Sequence, residues 1–321
     1  MKILVTGGAG YIGSHVVLEL IEKGQEVLIL DDLTSGSRVN ISSDATFIEG
    51  STLDEDILNN ILSTNVDAII HLAASKAAGE SMLLPEKYSK NNIIGTLNLL
   101  NAMIKNNIQT IVFSSSASVY GYPEYLPLDE KHPTEPINYY GHTKLAIEQF
   151  LKWYSDLKGL SFASLRYFNA AGYDKKGRII GLEQDSANLL PSIMEVANKV
   201  RSELKIFGDN YNTDDGTGVR DYVHVTDIAS AHFKALNYLR KGENIILNLS
   251  SGKGYSVLNV VEKAKEVTGM EIPYKIVCPR EGDPGTLVAS AKLAKETLNW
   301  VPKNTNLNYL IESMWNIYKK N

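Results

Sequence analysis

The sequence predicts an α/β protein, a doubly wound parallel sheet with a smaller second domain, and three observations carry that prediction. A glycine-rich turn, T-G-G-A-G-Y-I-G at 6–13, separates a short apolar run from a stretch whose apolar residues recur at helical spacing. Strand-like apolar runs and helix-like segments then alternate through the first half of the chain, the order that builds a parallel sheet covered on both faces. Three of the strand-like runs end in small or polar residues: H-L-A-A-S-K, S-S-S-A-S-V-Y-G and R-Y-F-N-A-A-G. Repeated crossovers bring such ends to one edge of the sheet, where these folds bind ligands.

The first element is a buried strand at Ile3 to Val5, followed by the glycine turn, a helix, and a second strand at Val27 to Leu30. This is one βαβ unit. Gly7, Gly10 and Gly13 allow a sharp turn, close approach to a pyrophosphate and tight packing of helix on strand, with phosphate at the positive end of the helix. Asp31 ends the second strand, roughly twenty residues past the centre of the glycines, where a carboxylate can accept hydrogen bonds from both ribose hydroxyls. Asp32 beside it would repel a 2′-phosphate, which favours NAD over NADP. The arrangement is of the Rossmann type. A-T-F-I-E-G, V-D-A-I-I-H-L-A-A, I-Q-T-I-V-F-S-S-S and L-S-F-A-S-L-R-Y-F-N-A continue the strands, and N-I-I-G-T-L-N-L-L-N-A-M-I-K-N reads as a helix between them.

Residues 137–145, I-N-Y-Y-G-H-T-K-L, open a further helix directly after the second edge segment. Positions four apart share a helical face, so Tyr140 and Lys144 point into the same space while Tyr139 is rotated away. A packed tyrosine beside a solvated lysine gives the same spacing, so the surroundings must decide between packing and chemistry. Phenol ordinarily ionises near ~10, and a neighbouring ammonium is what lets it serve as a base.

After R-Y-F-N-A-A-G-Y-D-K-K-G-R the alternation breaks, and the chain is loop-rich through F-G-D-N-Y-N-T-D-D-G-T-G. The expected division is a nucleotide-binding domain over 1–169 and a discontinuous substrate domain over 170–321, with the stretch from about 220 to 250 returning to the first. No internal repeat or low-complexity segment is present. The chain of 321 residues is 44% apolar and carries 32 basic against 37 acidic residues, a net charge of −5. That balance leaves no basic footprint for nucleic acid or an anionic membrane. One cysteine, Cys278, excludes an internal disulfide and a multi-thiolate zinc site. His15, His142, His224 and His232 have no ligand spacing, His71 reads as a core residue, and no metal is expected. With no signal-like or membrane-spanning run, the expectation is a cytoplasmic protein.

The glycine turn, S-S-S-A-S-V-Y-G at 114–121 and Y-G-H-T-K at 140–144 together resemble the extended short-chain dehydrogenase/reductase superfamily. Within it, Y-F-N-A-A-G, F-G-D-N-Y-N-T-D-D-G-T-G-V-R-D-Y-V-H-V and P-R-E-G-D-P are similar to the UDP-glucose (UDP-galactose) 4-epimerases, and the resemblance runs from Met1 to about Trp300. It implies that Tyr140 takes the proton of a sugar 4-hydroxyl while hydride passes from C4 to NAD. Lys144 would support that tyrosine and hold the nicotinamide ribose, and Ser116 would hydrogen-bond the sugar oxygen. Ser114 and Ser115 are expected to satisfy backbone groups at the strand end. The cofactor would be held by Gly7, Gly10, Tyr11, Ile12, Gly13, Asp31, Asp32, Ser51, Thr52, Leu72, Ala73, Lys76, Asn91, Tyr140, Lys144 and Tyr167. A UDP-hexose would meet Arg220 and Arg280 at its diphosphate, Asp283 at its ribose and Phe207 at its uracil. Ser116, Tyr140, Asn169, Asn188, Leu189 and Leu287 complete the substrate contacts. Ion pairs of the arginines with Asp221 or Glu281 are the alternative to phosphate binding.

Members of the superfamily that eliminate water or decarboxylate usually carry an acid where this chain has Ala117 and Ser118. Members that epimerise at C3 and C5 add a Cys–His pair, whereas the only thiol here is distant. Both departures leave reversible oxidation at C4. The family commonly has Gly-Asp at the end of the third strand, and this chain has Gly50-Ser51, which puts adenine recognition on a shorter, uncharged side chain. Leu287 stands where the family has either tyrosine or a small residue, so UDP-N-acetylglucosamine is an alternative substrate. A non-catalytic NAD(H) sensor is the alternative of another class, marked by loss of Tyr140 or Lys144, and both are present. Apolar positions on more than one face of G-T-L-N-L-L-N-A-M-I-K-N and T-K-L-A-I-E-Q-F-L-K-W-Y-S-D-L fit a four-helix contact in a homodimer.

Overall fold

The computed structural model describes residues 1–183, 186, 188–280 and 282–320. Its strands, in chain order, are β1 (Lys2–Thr6), β2 (Glu26–Asp31), β3 (Thr46–Glu49), β4 (Ala68–His71), β5 (Thr110–Ser116), β6 (Ser161–Tyr167), β7 (Asn169–Ala171), β8 (Leu204–Phe207), β9 (Val219–His224), β10 (Ile245–Leu249), β11 (Gly254–Ser256), β12 (Tyr274–Val277) and β13 (Thr286–Leu287). The helices are α1 (Tyr11–Glu22), α2 (Glu55–Leu62), α3 (Ala78–Ser81), α4 (Pro85–Tyr88), α5 (Gly95–Lys105), α6 (Tyr139–Lys158), α7 (Leu189–Ala197), α8 (Val225–Leu239), α9 (Val257–Thr268), α10 (Lys292–Leu298) and α11 (Leu307–Tyr318).

Seven strands form one sheet in the order β10-β6-β5-β4-β1-β2-β3, with every neighbouring pair parallel. Strand order reverses between β1 and β4, so the crevice at their C-terminal ends is where this topology places a ligand. Successive side chains of a strand point to opposite faces, which explains why both faces are apolar. Ile3, Val5, Ile29, Ile70, Val112, Leu165 and Leu247 join the core beneath α1 and α8. Leu4, Leu28, Ile69, Ile111, Phe113 and Phe162 join the core beneath α2, α5 and α6.

A third core lies among α7, α9, α11 and β8, with Ala171 of β7 and Tyr222 of β9. There β9 pairs with β7 and β13 in parallel and with β11 antiparallel, and β8 pairs with β12. The stretch from Arg220 is divided: β9 belongs to this smaller sheet, whereas α8 packs on α1 and β10 pairs with β6 in the large one. The segment expected as one helix from Asn92 begins instead with a turn of π-helix at Ser89–Ile94, continued by α5.

The folded state of the free protein predicts its own acid sensitivity. Burial pushes His15 and His232 down to about 4, and His71 and His224 down to about 3. Between pH 6.5 and those values the unfolded chain binds protons that the native chain refuses, so stability is lost as pH falls through that window. Each histidine can contribute up to about 1.4 kcal/mol per pH unit. Asp221, pushed by burial up to about 6, acts with the opposite sign, as do Asp31, Glu130 and Asp227, which burial also raises, but carboxylates take up protons mainly toward the acid end of the window whereas the histidines act across all of it. Melting temperature is therefore expected to fall steadily from pH 6.5 to pH 4.5, measured by circular dichroism; a flat profile would contradict the neutral, buried histidines.

Candidate active site

The glycine turn lies at the mouth of the crevice between β1 and β4. Gly7 has φ +72°, and a Cβ there would come within 2.7 Å of the Ala73 nitrogen, so the turn runs directly against the end of β4. At Gly13 a Cβ would overlap the Gly7 carbonyl. Gly10 caps α1 without a side chain, leaving the first-turn N–H groups to an external anion. Asp31 is buried and accepts from the N–H groups of Ala9 and Leu33, both at 2.9 Å, which fixes its carboxylate at the end of β2. Asp32 is exposed and accepts from Thr34 N–H. Deprived of side chains, lined by N–H groups and flanked by a carboxylate, this cradle fits a dinucleotide.

The remaining predicted cofactor residues divide between the crevice and its supports. Leu72 continues from β4, and Ala73 N–H reaches Thr6 Oγ1 at 3.4 Å. Ser51 accepts from Leu53 N–H, and Thr52 is buried next to Gly95. Asn91, on the π-turn, donates to Ser75 Oγ at 3.1 Å. Ile12, on α1, packs against the core, and the Tyr11 hydroxyl donates to the Gly172 carbonyl just past β7, so that residue ties the first helix to the turn after β7. Tyr167 is buried, with its hydroxyl 2.6 Å from His232 Nε2. Lys76, whose surroundings read as helical, lies in the loop before α3 and is ion-paired with Glu183 rather than merely solvated.

Helix α6 is placed by its ends. Asn138 Oδ1 accepts from Gly141 N–H at 2.8 Å, Ser81 Oγ accepts from Tyr140 N–H at 3.0 Å, and Gly159 closes the helix in the left-handed conformation. Tyr140 and Lys144 share a face as the spacing predicts, with the Lys144 Nζ 5.8 Å from the centre of the Tyr140 ring. The Tyr139 hydroxyl turns instead to Ser89 Oγ. Lys144 is 2% exposed, donates to the Ser114 carbonyl at 2.7 Å and lies over the Phe113 ring. Burial lowers its pKa to about 7, opposed by the carboxylate of Glu148. Burial raises Tyr140, while a hydrogen bond from Ser116 favours its ionised form. Ser116 Oγ already accepts from Ser118 N–H at 3.1 Å, so the hydroxyl proton is free to face the tyrosine. Ser115 does not simply satisfy backbone: its hydroxyl donates to Glu148.

The predicted substrate residues gather on the smaller sheets. Asn169 on β7 donates to the Asp221 carbonyl at 3.0 Å, and Leu287 on β13 lies in register with Arg220 on β9. Arg220 is ion-paired with Asp283, not with Asp221; the Asp221 carboxylate is buried and accepts from Ser251 and Gly252. The Arg280 guanidinium stacks 4.0 Å from the centre of the Phe207 ring. Glu281, the alternative partner of Arg280, lies outside the described residues. Asn188 caps α7 and Leu189 is its first residue. The sequence reading missed Tyr211. Its hydroxyl is buried without a hydrogen-bond partner among the described residues, in the electrostatic neighbourhood of Asp283, Arg220 and Arg280. Its presence within the F-G-D-N-Y segment was the available signal. Among the described residues no cluster of His, Cys, Asp or Glu is arranged to hold a metal, and no helix is long and apolar enough to cross a membrane.

A UDP-glucose 4-epimerase of Halalkalibacterium halodurans is 46% identical over 322 aligned residues, spanning all of this chain and 96% of that protein. The crystal structure of UDP-glucose 4-epimerase from Brucella ovis in complex with NAD superposes with a TM-score of 0.96 at 38% identity, covering 99% of this chain and 98% of that one. That from Bifidobacterium longum in complex with NAD+ and UDP does so with a TM-score of 0.95 at 37% identity, covering 100% and 99%. The model of the NAD dependent epimerase/dehydratase family matches residues 3–250, from β1 through the last strand of the large sheet, and this chain belongs to that family.

Proposed function

We propose that this enzyme interconverts UDP-glucose and UDP-galactose by reversible oxidation at C4, with NAD as its resident cofactor. The observation that carries this reading is the meeting of Tyr140, Ser116 and Lys144 at the C-terminal edge of the large sheet, beside the crevice that holds the glycine turn. When bound, NAD would supply the redox chemistry at C4, as hydride acceptor and donor. Gly7, Gly10, Tyr11, Ile12 and Gly13, then Asp31, Asp32, Ser51 and Thr52, and then Leu72, Ala73, Lys76, Asn91 and Tyr167 would hold it.

Tyr140 accepts the proton of the 4-hydroxyl and later returns it. Ser116 donates to the phenolate and carries the proton between the two oxygens. Lys144 lends positive charge from beneath the ring. For epimerisation the sugar must turn while the rest of the substrate stays anchored, and guanidinium groups suit a diphosphate anchor. Arg220 and Arg280 take that role, with Asp283 at the ribose, Phe207 at the uracil, and Asn169, Asn188 and Leu189 at the flanks. A diphosphate entering the free protein would replace Asp283 as the partner of Arg220. The cofactor-binding unit comprises residues 1–169 with α8 and β10, about 225–250, and the substrate unit comprises the rest of 170–321, β9 included.

Purified protein should convert UDP-galactose to UDP-glucose, followed by nuclear magnetic resonance; product from no nucleotide sugar would leave the NAD(H)-sensor reading. A second substrate is favoured by Leu287, a half-buried side chain smaller than tyrosine on the strand next to Arg220. Conversion of UDP-N-acetylgalactosamine would support it. Leu287→Tyr is then expected to lower the kcat/KM for the N-acetylated sugar by roughly 10–200-fold relative to the plain hexose, because bulk at a packed wall excludes the larger substituent. Equal losses on both sugars would place Leu287 elsewhere.

The enzyme is cytoplasmic and a homodimer in this reading. Trp153 is 61% and Leu157 69% exposed, one turn apart on α6, and Ile94 is exposed where the π-turn meets α5. Such an apolar face fits a second copy of the same helices. The double variant Trp153→Glu/Leu157→Lys should run as a monomer in light scattering at micromolar concentration, while the parent runs as a dimer. A variant that remains dimeric would move the contact to another face.

A further inference from the structure

Three consecutive serines at the end of β5 hold three residues of α6 spaced by four. Ser116 lies close enough to Tyr140 to favour its ionised form, the Ser114 carbonyl accepts from Lys144, and Ser115 Oγ donates to Glu148 Oε1 at 2.6 Å. The third contact has no part in the reaction described above, yet it is the most heavily built. Glu148 and Arg166, on α6 and β6, are both buried and form a bidentate pair: Nε to Oε1 at 2.9 Å and Nη2 to Oε2 at 2.6 Å. Arg166 Nη1 donates to the Tyr120 hydroxyl at 3.0 Å, which in turn donates to Asn248 Oδ1 at 2.6 Å. Asn248 N–H is held by Glu130. One connected set of hydrogen bonds therefore joins α6 to β5, β6, β10 and the turn after β5.

We propose that Ser115, Glu148 and Arg166 form a positioning unit that fixes the register of α6 against β5 and keeps a negative charge one helical turn from Lys144, holding that lysine in its ammonium form. This rests on Tyr140 being the proton acceptor. A rigid pair of charged groups with all donors and acceptors matched resists sliding of the helix, because any shift would strand a buried charge. A one-residue slip would rotate Tyr140 away from Ser116 altogether.

The groups facing Lys144 identify the source of the field. Tyr140 and Glu148 flank it on its own helix; β5 contributes the Phe113 ring and the Ser114 carbonyl; β4 contributes His71, which burial keeps neutral above about pH 3. Tyr167 on β6 interacts with Tyr140. Glu148 is the group among these that favours the charged lysine. Arg166 neutralises its far side, and Glu130 lies beyond Arg166.

The test compares the pH dependence of kcat for UDP-galactose in the parent and in Glu148→Gln, Glu148→Asp and Ser115→Ala, with melting temperature and bound NAD measured on each. Glu148→Gln keeps the shape and removes the charge. Its alkaline limb, where Lys144 loses its proton, should move to lower pH by about one unit, a tenfold change in the lysine equilibrium. Glu148→Asp should keep the limb at the parental pH. Ser115→Ala retains both charges, and should lower kcat several-fold at unchanged KM without moving the limb. A Glu148→Gln enzyme that is only less thermostable, with the limb in place, would make the pair structural and overturn the proposal. If Glu148→Gln does not fold, Ser115→Ala decides: parental kcat would overturn it. Failure of the reading underneath is separate, because Tyr140→Phe would then be active whatever Glu148 does.

Discussion

Tyr140→Phe is expected to lower kcat for UDP-galactose by about 10²–10⁴-fold, the range that a positioned acid–base group contributes. The ring is half-buried at the start of α6, and the only atom removed is the hydroxyl that Ser116 addresses. Phenylalanine fills the same space, so the helix caps at Asn138 and Ser81 should be untouched. Melting temperature and bound cofactor should therefore stay near the parental values, and the loss should fall on kcat rather than on KM. Activity within tenfold of the parent would remove Tyr140 from the proton-transfer role and leave the Tyr140–Lys144 spacing as packing.

Gly13→Ala should weaken cofactor retention. The added methyl would overlap the Gly7 carbonyl and come within 2.9 Å of Gly8 Cα, and backbone on both sides leaves nothing flexible to yield. Overpacking of this kind costs about 1–3 kcal/mol. Spent on the cradle, that cost is a roughly 10–100-fold weaker hold on NAD. Gly79→Ala is the control, because a methyl there meets nothing within 4 Å. Absorbance of the purified proteins and titration with added NAD distinguish the two. Equal affinity in both variants would show that the turn does not approach the ligand.

How far the site was legible follows from how far apart its parts lie in the chain. The glycine cradle and the Tyr140–Lys144 face are local patterns, set by φ angles and by the helical repeat, and the structure places them as the spacing requires. The alternation of strands and helices was likewise readable, because each buried strand carries its own apolar signal. Pairings across long separations were not. Arg220 reaches Asp283 through the contact of β9 with β13, where adjacency in sequence had suggested Asp221 as the competing partner. Ser115 looked like strand-end filler until α6 and β6 brought Glu148 and Arg166 to it. Lys76 looked solvated because its partner, Glu183, lies on a loop more than a hundred positions away. Tyr211 offered no pattern beyond its place in the F-G-D-N-Y segment, since an aromatic residue in a loop is ambiguous until the charged groups around it are known. The π-turn at Ser89–Ile94 was missed for a related reason: its apolar spacing differs too little from that of the α-helix it joins.

The most direct measurement runs the enzyme with UDP-galactose in deuterium oxide, with NAD supplied, and reads the C4 position of the UDP-glucose formed by proton resonance. Oxidation and re-reduction at C4, with the proton alone passing through Tyr140, predicts a product that keeps its original hydrogen at C4. Deuterium at C4 would mean that the carbon exchanges with solvent, and would contradict both the resident redox cofactor and the role given to Tyr140.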